Sequence, residues 1–144
     1  MEQEKLAPRL EDYLETIYLI EKKNGVARVK EIAKERNVKM PTVSDVLKRL
    51  SEKGFIHYEP YGYVRTTEKG KLYAQTLYSK HKVLIKFMKE VLGVRDDIAE
   101  KEGCLLEHHL SKETIERIEK LVYFFEKENL RENFKEYLNE KNDI

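Results

Sequence analysis

Residues 29–66 read VKEIAKERNVKMPTVSDVLKRLSEKGFIHYEPYGYVRT, and this stretch decides the fold. Val29, Ile32 and Ala33 fall on one helical face, which predicts a short amphipathic helix over about 29–36. Asn37-Val38-Lys39 reads as a tight turn. Pro41 then sits where proline is tolerated, in the first turn of a helix, because its missing N–H has no intrahelical partner there. That helix is expected to run to about Lys53 with Val43, Val46, Leu47 and Leu50 inward, and Gly54 stops it. Two short helices joined by such a turn follow the plan of a helix-turn-helix. Residues 55–59 and 63–66 then alternate aromatic and β-branched side chains around Pro60-Tyr61-Gly62, the pattern of a β-hairpin. A helix-turn-helix followed at once by a hairpin is a winged helix. The competing reading is a generic α+β domain, which gives no reason for three local cues in this order.

Upstream, Leu10, Tyr13, Leu14, Ile17 and Ile20 make a helical apolar stripe that Asn24-Gly25 ends. Asp12 and Glu15 lie beside it at i, i+3, ordinarily a solvated acidic face. Downstream, Thr67 is expected to cap a long helix reaching about Leu92. Its stripe is Ala74, Leu77, Tyr78, Leu84, Ile85, Met88, Val91 and Leu92. His81 occupies a slot midway along and needs partners for both ring nitrogens. Gly93 breaks the chain, and Asp96 or Asp97 is expected to cap the next helix, which contains Cys104-Leu105-Leu106-Glu107-His108-His109. In a helix Cys104, Glu107 and His108 leave one face together. A thiol, a carboxylate and an imidazole are then three potential ligands for a divalent metal. The plainer alternative is a small buried cysteine beside a solvated Glu-His pair. Ser111 caps a helix carrying Ile115, Ile118, Leu121, Val122 and Phe125. Asn129-Leu130-Arg131-Glu132 resembles a capping box for a last helix with Leu130, Phe134, Tyr137 and Leu138 on one side.

A chain of 144 residues, 40% hydrophobic and 38% charged, suits one domain or two small ones under a very charged surface. The net charge of +1 argues against a wholly basic coat. It is uneven: residues 1–73 carry 15 Lys/Arg against 12 Asp/Glu, and residues 74–144 carry 13 against 15. The N-terminal half is therefore the expected partner of a polyanion. One cysteine excludes an internal disulfide and fits a reducing compartment. No apolar run approaches the ~20 residues of a membrane helix, and the N-terminus lacks the plan of a signal peptide. A soluble, cytoplasmic protein that makes no membrane contact is expected.

Four stretches together resemble the diphtheria-toxin-repressor family of metal-dependent transcriptional repressors. They are Glu11-Asp12-Tyr13-Leu14-Glu15-Thr16-Ile17-Tyr18, Pro41-Thr42-Val43-Ser44, Lys80-His81-Lys82 and Cys104-Leu105-Leu106-Glu107-His108, and the resemblance covers residues ~8–127. It implies a mainly α fold with a small β-hairpin wing. A winged helix-turn-helix DNA-binding domain over 1–73 would precede a helical metal-binding and dimerisation domain over 74–144. It implies metal-ligand positions at Asp12, Glu15, His81, Glu107 and His108. Cys104 falls on another, where the iron-type branch can contribute its backbone carbonyl. Asp12 resembles the manganese-type branch, Cys104 the iron-type branch, and the chain ends without room for the SH3-like domain of many iron-type members. The expected effector is Mn²⁺ or Fe²⁺, with Zn²⁺ or Co²⁺ able to bind in vitro, since a thiolate favours softer ions and affinity follows the Irving–Williams order.

The expected partners are double-stranded DNA carrying a palindromic operator and a second copy of the chain. Thr42 and Ser44 can donate to phosphates or base edges, and Pro41 can touch a thymine methyl. Lys39, Lys48, Arg49, Lys53, Arg28 and Arg65 extend the footprint onto phosphates, although each alone could be an ordinary surface charge. Metal ligated by both groups of residues would fix the winged helix against the dimer core and so switch DNA affinity. Two other functions compete. A winged-helix regulator with a non-metal effector would leave the five ligand-type residues as coincidences. A metalloenzyme would need a general base distinct from the ligands, and no acid/base, nucleophile or phosphate-cradling motif is found, so no enzymatic activity is expected.

Overall fold

The computed structural model describes residues 4–59 and 62–140. Pro60 and Tyr61 of the expected hairpin turn lie outside the described residues. The chain forms two compact units, Met1–Tyr78 and Ser79–Ile144, and is mainly helical with one two-stranded antiparallel hairpin among the described residues.

In the first unit α1 (Pro8–Asn24) ends at Gly25, whose φ of 85° is the left-handed conformation that glycine adopts without a Cβ penalty. Next comes α2 (Val29–Arg36), closed by Asn37 in the left-handed region with its N–H on the Ala33 and Lys34 carbonyls. The turn leads directly into α3 (Met40–Glu52), with proline in its first turn. The wing is β1 (Ile56–Tyr58) paired with β2 (Val64–Thr66), Ile56 opposite Thr66 and Tyr58 opposite Val64. The start of α4 (Glu68–Lys86) is capped by Thr67, whose hydroxyl accepts the Gly70 N–H at 3.0 Å. Gly70 must be glycine here, because a Cβ would stand 1.8 Å from the Phe55 carbonyl oxygen.

The inward faces of these elements close one apolar core, with Leu14, Ile17, Ile32, Leu47, Leu50 and Phe55 fully buried. Polar braces hold its rim. Glu21 Oε2 accepts from the Thr66 hydroxyl at 2.6 Å and its N–H at 3.2 Å, tying the end of α1 to the wing. The Tyr73 hydroxyl donates to Glu11 Oε2 at 2.6 Å and accepts the Leu6 N–H at 3.0 Å. Burial, then the hydrogen bond to Glu11, push this hydroxyl well above its ordinary pKa, so it remains a donor.

In the second unit the long helix departs from expectation. It closes in a π-helical turn, Phe87–Val91, with the Leu92 N–H on the Phe87 carbonyl at 3.1 Å. The wider turn keeps Met88 and Val91 buried and turns Leu92 outward, 40% exposed. A stripe counted at 3.6 residues per turn carries no sign of the extra residue.

Helix α5 (Asp96–Leu106) starts after Arg95. Asp96 and Asp97 stand inside its first turn, where they complement the helix dipole, and not at the cap. Packing of α4 and α5 is close, since a Cβ on Gly103 would lie 2.9 Å from Ile85 Cγ1. In α6 (Lys112–Lys127) Ser111 caps as expected, accepting the Thr114 N–H at 3.2 Å. The capping box at 129–132 does not form. Asn129 is in the left-handed region, φ 54°, finishing α6, whereas an N-cap needs extended backbone. Helix α7 (Arg131–Glu140) buries no residue. Among the described residues no helix is long and apolar enough to cross a membrane.

Candidate metal centre and nucleic-acid interface

At the end of α5 the usual order of burial is inverted. Leu105 and Leu106 are exposed, while Glu107 and His108 are 2% and 5% exposed. The helix itself stops at Leu106, so Glu107 and His108 belong to its closing turn rather than its body. Glu107 keeps near-helical angles, φ −57° and ψ −27°, and its N–H bonds the Gly103 carbonyl at 3.1 Å. The spacing from Cys104 therefore still sets side chains on one side. Cys104 is exposed, and the alternative of a buried cysteine beside a solvated Glu-His pair is reversed on both counts.

His81 of α4 faces this turn. Its Nδ1 lies 3.1 Å from Glu107 Oε2 and 3.6 Å from Cys104 Sγ, and its Nε2 lies 3.7 Å from Glu100 Oε2. His108 Nε2 is 3.5 Å from Glu107 Oε1. Glu107 Oε2 is buried and, among the described residues, has no hydrogen-bond donor, because the approach of His81 has ion-pair distance without hydrogen-bond geometry. A buried carboxylate oxygen without a donor is costly. Neighbouring donor atoms on one ion with bonds of about 2.0–2.3 Å stand roughly 3–4 Å apart. The pairs His81 Nδ1–Glu107 Oε2, His81 Nδ1–Cys104 Sγ and His108 Nε2–Glu107 Oε1 each meet that spacing, and side chains of these types fit a divalent transition metal.

The remaining ligand-type residues lie on α1. Glu15 is buried, 8% exposed, which is not the solvated face that its polarity would suggest. Asp12 Oδ2 is 3.5 Å from Arg36 Nη2, and the Asp12 carbonyl accepts the Thr16 hydroxyl at 2.9 Å.

The helix-turn-helix presents a second surface. On α3, Val43, Val46, Leu47 and Leu50 face the core, leaving Pro41, Lys48 and Arg49 exposed and Thr42 and Ser44 half-buried at the helix start. Lys39, Arg28 and Arg65 are exposed as well. Arg28 stacks on the wing residue Tyr63, Cζ 5.0 Å from the ring centroid, with Nη2 3.4 Å from its hydroxyl. Lys53 is engaged instead by Glu4 at 2.6 Å.

Sequence reasoning missed Arg36, Tyr63, Glu100 and Glu21. Each acts across elements, and no spacing along one helix reports such a partner.

The chain matches two family descriptions in order: the iron dependent repressor N-terminal DNA binding domain over residues 5–64, and the iron dependent repressor metal binding and dimerisation domain over residues 67–132. It is 40% identical over 114 residues to an uncharacterized HTH-type transcriptional regulator of Methanocaldococcus jannaschii, covering 78% of this chain and 91% of that one. Among solved structures it resembles the manganese regulator SloR, with TM-score 0.72 and 29% identity over 83% of this chain and 55% of that one. It also resembles ScaR with bound Zn²⁺, with TM-score 0.66 and 27% identity over 80% of this chain and 54% of that one. The chain thus spans about half the length of these solved relatives.

Proposed function

Because the chain belongs to the iron-dependent repressor family of metal-dependent transcriptional regulators, with a DNA-binding domain followed by a metal-binding and dimerisation domain, we propose that it represses genes of metal-ion uptake when Mn²⁺ or Fe²⁺ is bound. We assign DNA binding to residues 1–73, and metal binding and dimerisation to residues 74–144. His81, Cys104, Glu107 and His108 are ligands, joined by Asp12 and Glu15. The observation that carries this reading is Glu107: a carboxylate 2% exposed, with one oxygen lacking a hydrogen-bond donor among the described residues and an imidazole nitrogen 3.1 Å from it.

A bound dication supplies the positive charge that these carboxylates lack and accepts lone pairs from imidazole and thiolate. The rest is done by the chain. Glu107 and His108 are held by the closing turn of α5, so their donor atoms are in place before an ion arrives. Asp12 and Glu15 stand on α1, which Glu21 braces to the wing through Thr66. A change in charge on α1 is thereby felt by an element that flanks the DNA face. Oxygen and imidazole donors suit Mn²⁺ and Fe²⁺, while the exposed thiol admits Zn²⁺ and Co²⁺ in vitro.

Leu105, Tyr123 and Phe124 are 60%, 66% and 51% exposed, an apolar surface of the kind that a second copy covers. A homodimer would set two recognition helices on half-sites about one helical turn apart, which calls for a palindromic operator. Pro41, Thr42 and Ser44 read bases, and Arg28, Lys39, Lys48, Arg49 and Arg65 contact phosphates.

The test is a mobility-shift titration on palindromic DNA, under anaerobic conditions, with and without Mn²⁺ or Fe²⁺. Metal-dependent binding is expected. Equal binding without metal would transfer the function to a regulator with another effector.

A further inference from the structure

Arg36 is the last residue of α2, and its position bears on Asp12. Its Nη2 is 3.5 Å from Asp12 Oδ2, and its Cζ lies 5.3 Å from the centroid of the Tyr13 ring. Its Nε is buried without a hydrogen-bond acceptor among the described residues. Within the chain the guanidinium thus meets one carboxylate and one aromatic face, with a third of the side chain open to solvent. Immediately after Arg36 the chain turns through Asn37 into the recognition helix α3.

We propose that Arg36 is an internal cation that competes with the metal for Asp12, sets the metal threshold upward and couples occupancy to the turn before the recognition helix. This rests on the reading of Asp12 as a ligand. The physical reason is charge. An ion ligated by Asp12 draws on the electron density that Arg36 uses and brings a double positive charge near a single one. Both cannot be fully satisfied by one carboxylate, so ligation weakens the Arg36 contact. The weakened contact is anchored at the C-terminal end of α2, where a cation also favours the helix dipole. Metal occupancy is in this way reported to the α2–α3 turn within the DNA-binding unit itself. Arg36 is a positioning residue and needs no contact with the ion.

The test measures Mn²⁺ affinity without DNA, by competition with a fluorescent chelator, for wild type, Arg36→Leu, Arg36→Gln and Arg36→Lys. Because the pair is one-third exposed, removing the charge should tighten Mn²⁺ binding by about fivefold. Arg36→Lys should stay within about twofold of wild type, because the competition is set by the positive charge and lysine keeps it. In an Asp12→Asn background the gain from Arg36→Leu should vanish, as a double-mutant cycle requires of a direct competitor. Far-UV circular dichroism confirms folding, and Arg36→Gln serves should Arg36→Leu not fold. Mn²⁺ binding by Arg36→Leu or Arg36→Gln that is equal to or weaker than wild type overturns the inference alone. Wild type that binds no Mn²⁺, Fe²⁺ or Zn²⁺ overturns the proposed function and this inference with it.

Discussion

The two units solve the problem of a small core differently. In Met1–Tyr78 aromatic and aliphatic side chains from α1, α2, α3, the wing and the first part of α4 are buried together in one continuous core. Among the described residues of Ser79–Ile144 the buried hydrophobics are fewer, Leu84, Met88, Val91, Ala99, Ile115 and Val122, while Leu92, Leu121, Tyr123, Phe124, Tyr137 and Leu138 stay exposed. Its deepest positions near the end of α5 go to Glu107 and His108. The first unit gathers its apolar side chains into one core and buries Glu11, Glu15 and Thr16 on α1 as well. The second leaves more of its large apolar side chains exposed and buries Glu107 and His108.

Gly70→Ala should break the first unit most severely. The new Cβ would meet a backbone oxygen that cannot move away, at a cost of about 3 kcal/mol, measured by chemical denaturation. A gain in helix propensity cannot offset that clash. Phe124→Glu should act on the second unit without unfolding it, because the ring is half exposed. Sedimentation should show self-association weakened by about tenfold or more, the effect of charging the centre of an apolar interface. An unchanged dimer would place the interface elsewhere. Gly103→Ala should be milder than Gly70→Ala, about 2 kcal/mol, because the Cβ meets the Ile85 side chain at 2.9 Å and not a backbone oxygen at 1.8 Å. Equal losses at the two glycines would erase the contrast between a backbone and a side-chain contact. The smallest effect is expected for Glu21→Ala, about 1 kcal/mol from two lost hydrogen bonds at a partly exposed site. Hydrogen exchange at the Thr66 amide should rise in this variant while that of the α3 amides stays constant.

The winged helix was legible because each of its elements carries its own apolar period and its own stop. Gly25, Asn37 and Gly54 end helices at positive φ, and Pro41 opens one. Clustered ligand types at Cys104, Glu107 and His108 were legible for the same local reason. What sequence could not give was depth and partnership. Nothing in the spacing says that Leu105 lies outside and Glu107 inside, since the hydrophobic pattern argues the reverse. The π-helical turn at Phe87–Val91 adds a residue that no stripe reveals. Arg36 reads as one more surface cation until α1 and α2 are packed together.

Metal control of DNA binding by residues beyond the wing is tested most directly by titrating palindromic DNA with wild type, His81→Ala and His108→Ala, each with and without Mn²⁺ or Fe²⁺. Both variants should fold and dimerise, and both should lose metal stimulation, with metal affinity lower by about 10- to 100-fold. Equal stimulation of all three proteins would contradict the assignment of His81 and His108 to the metal centre.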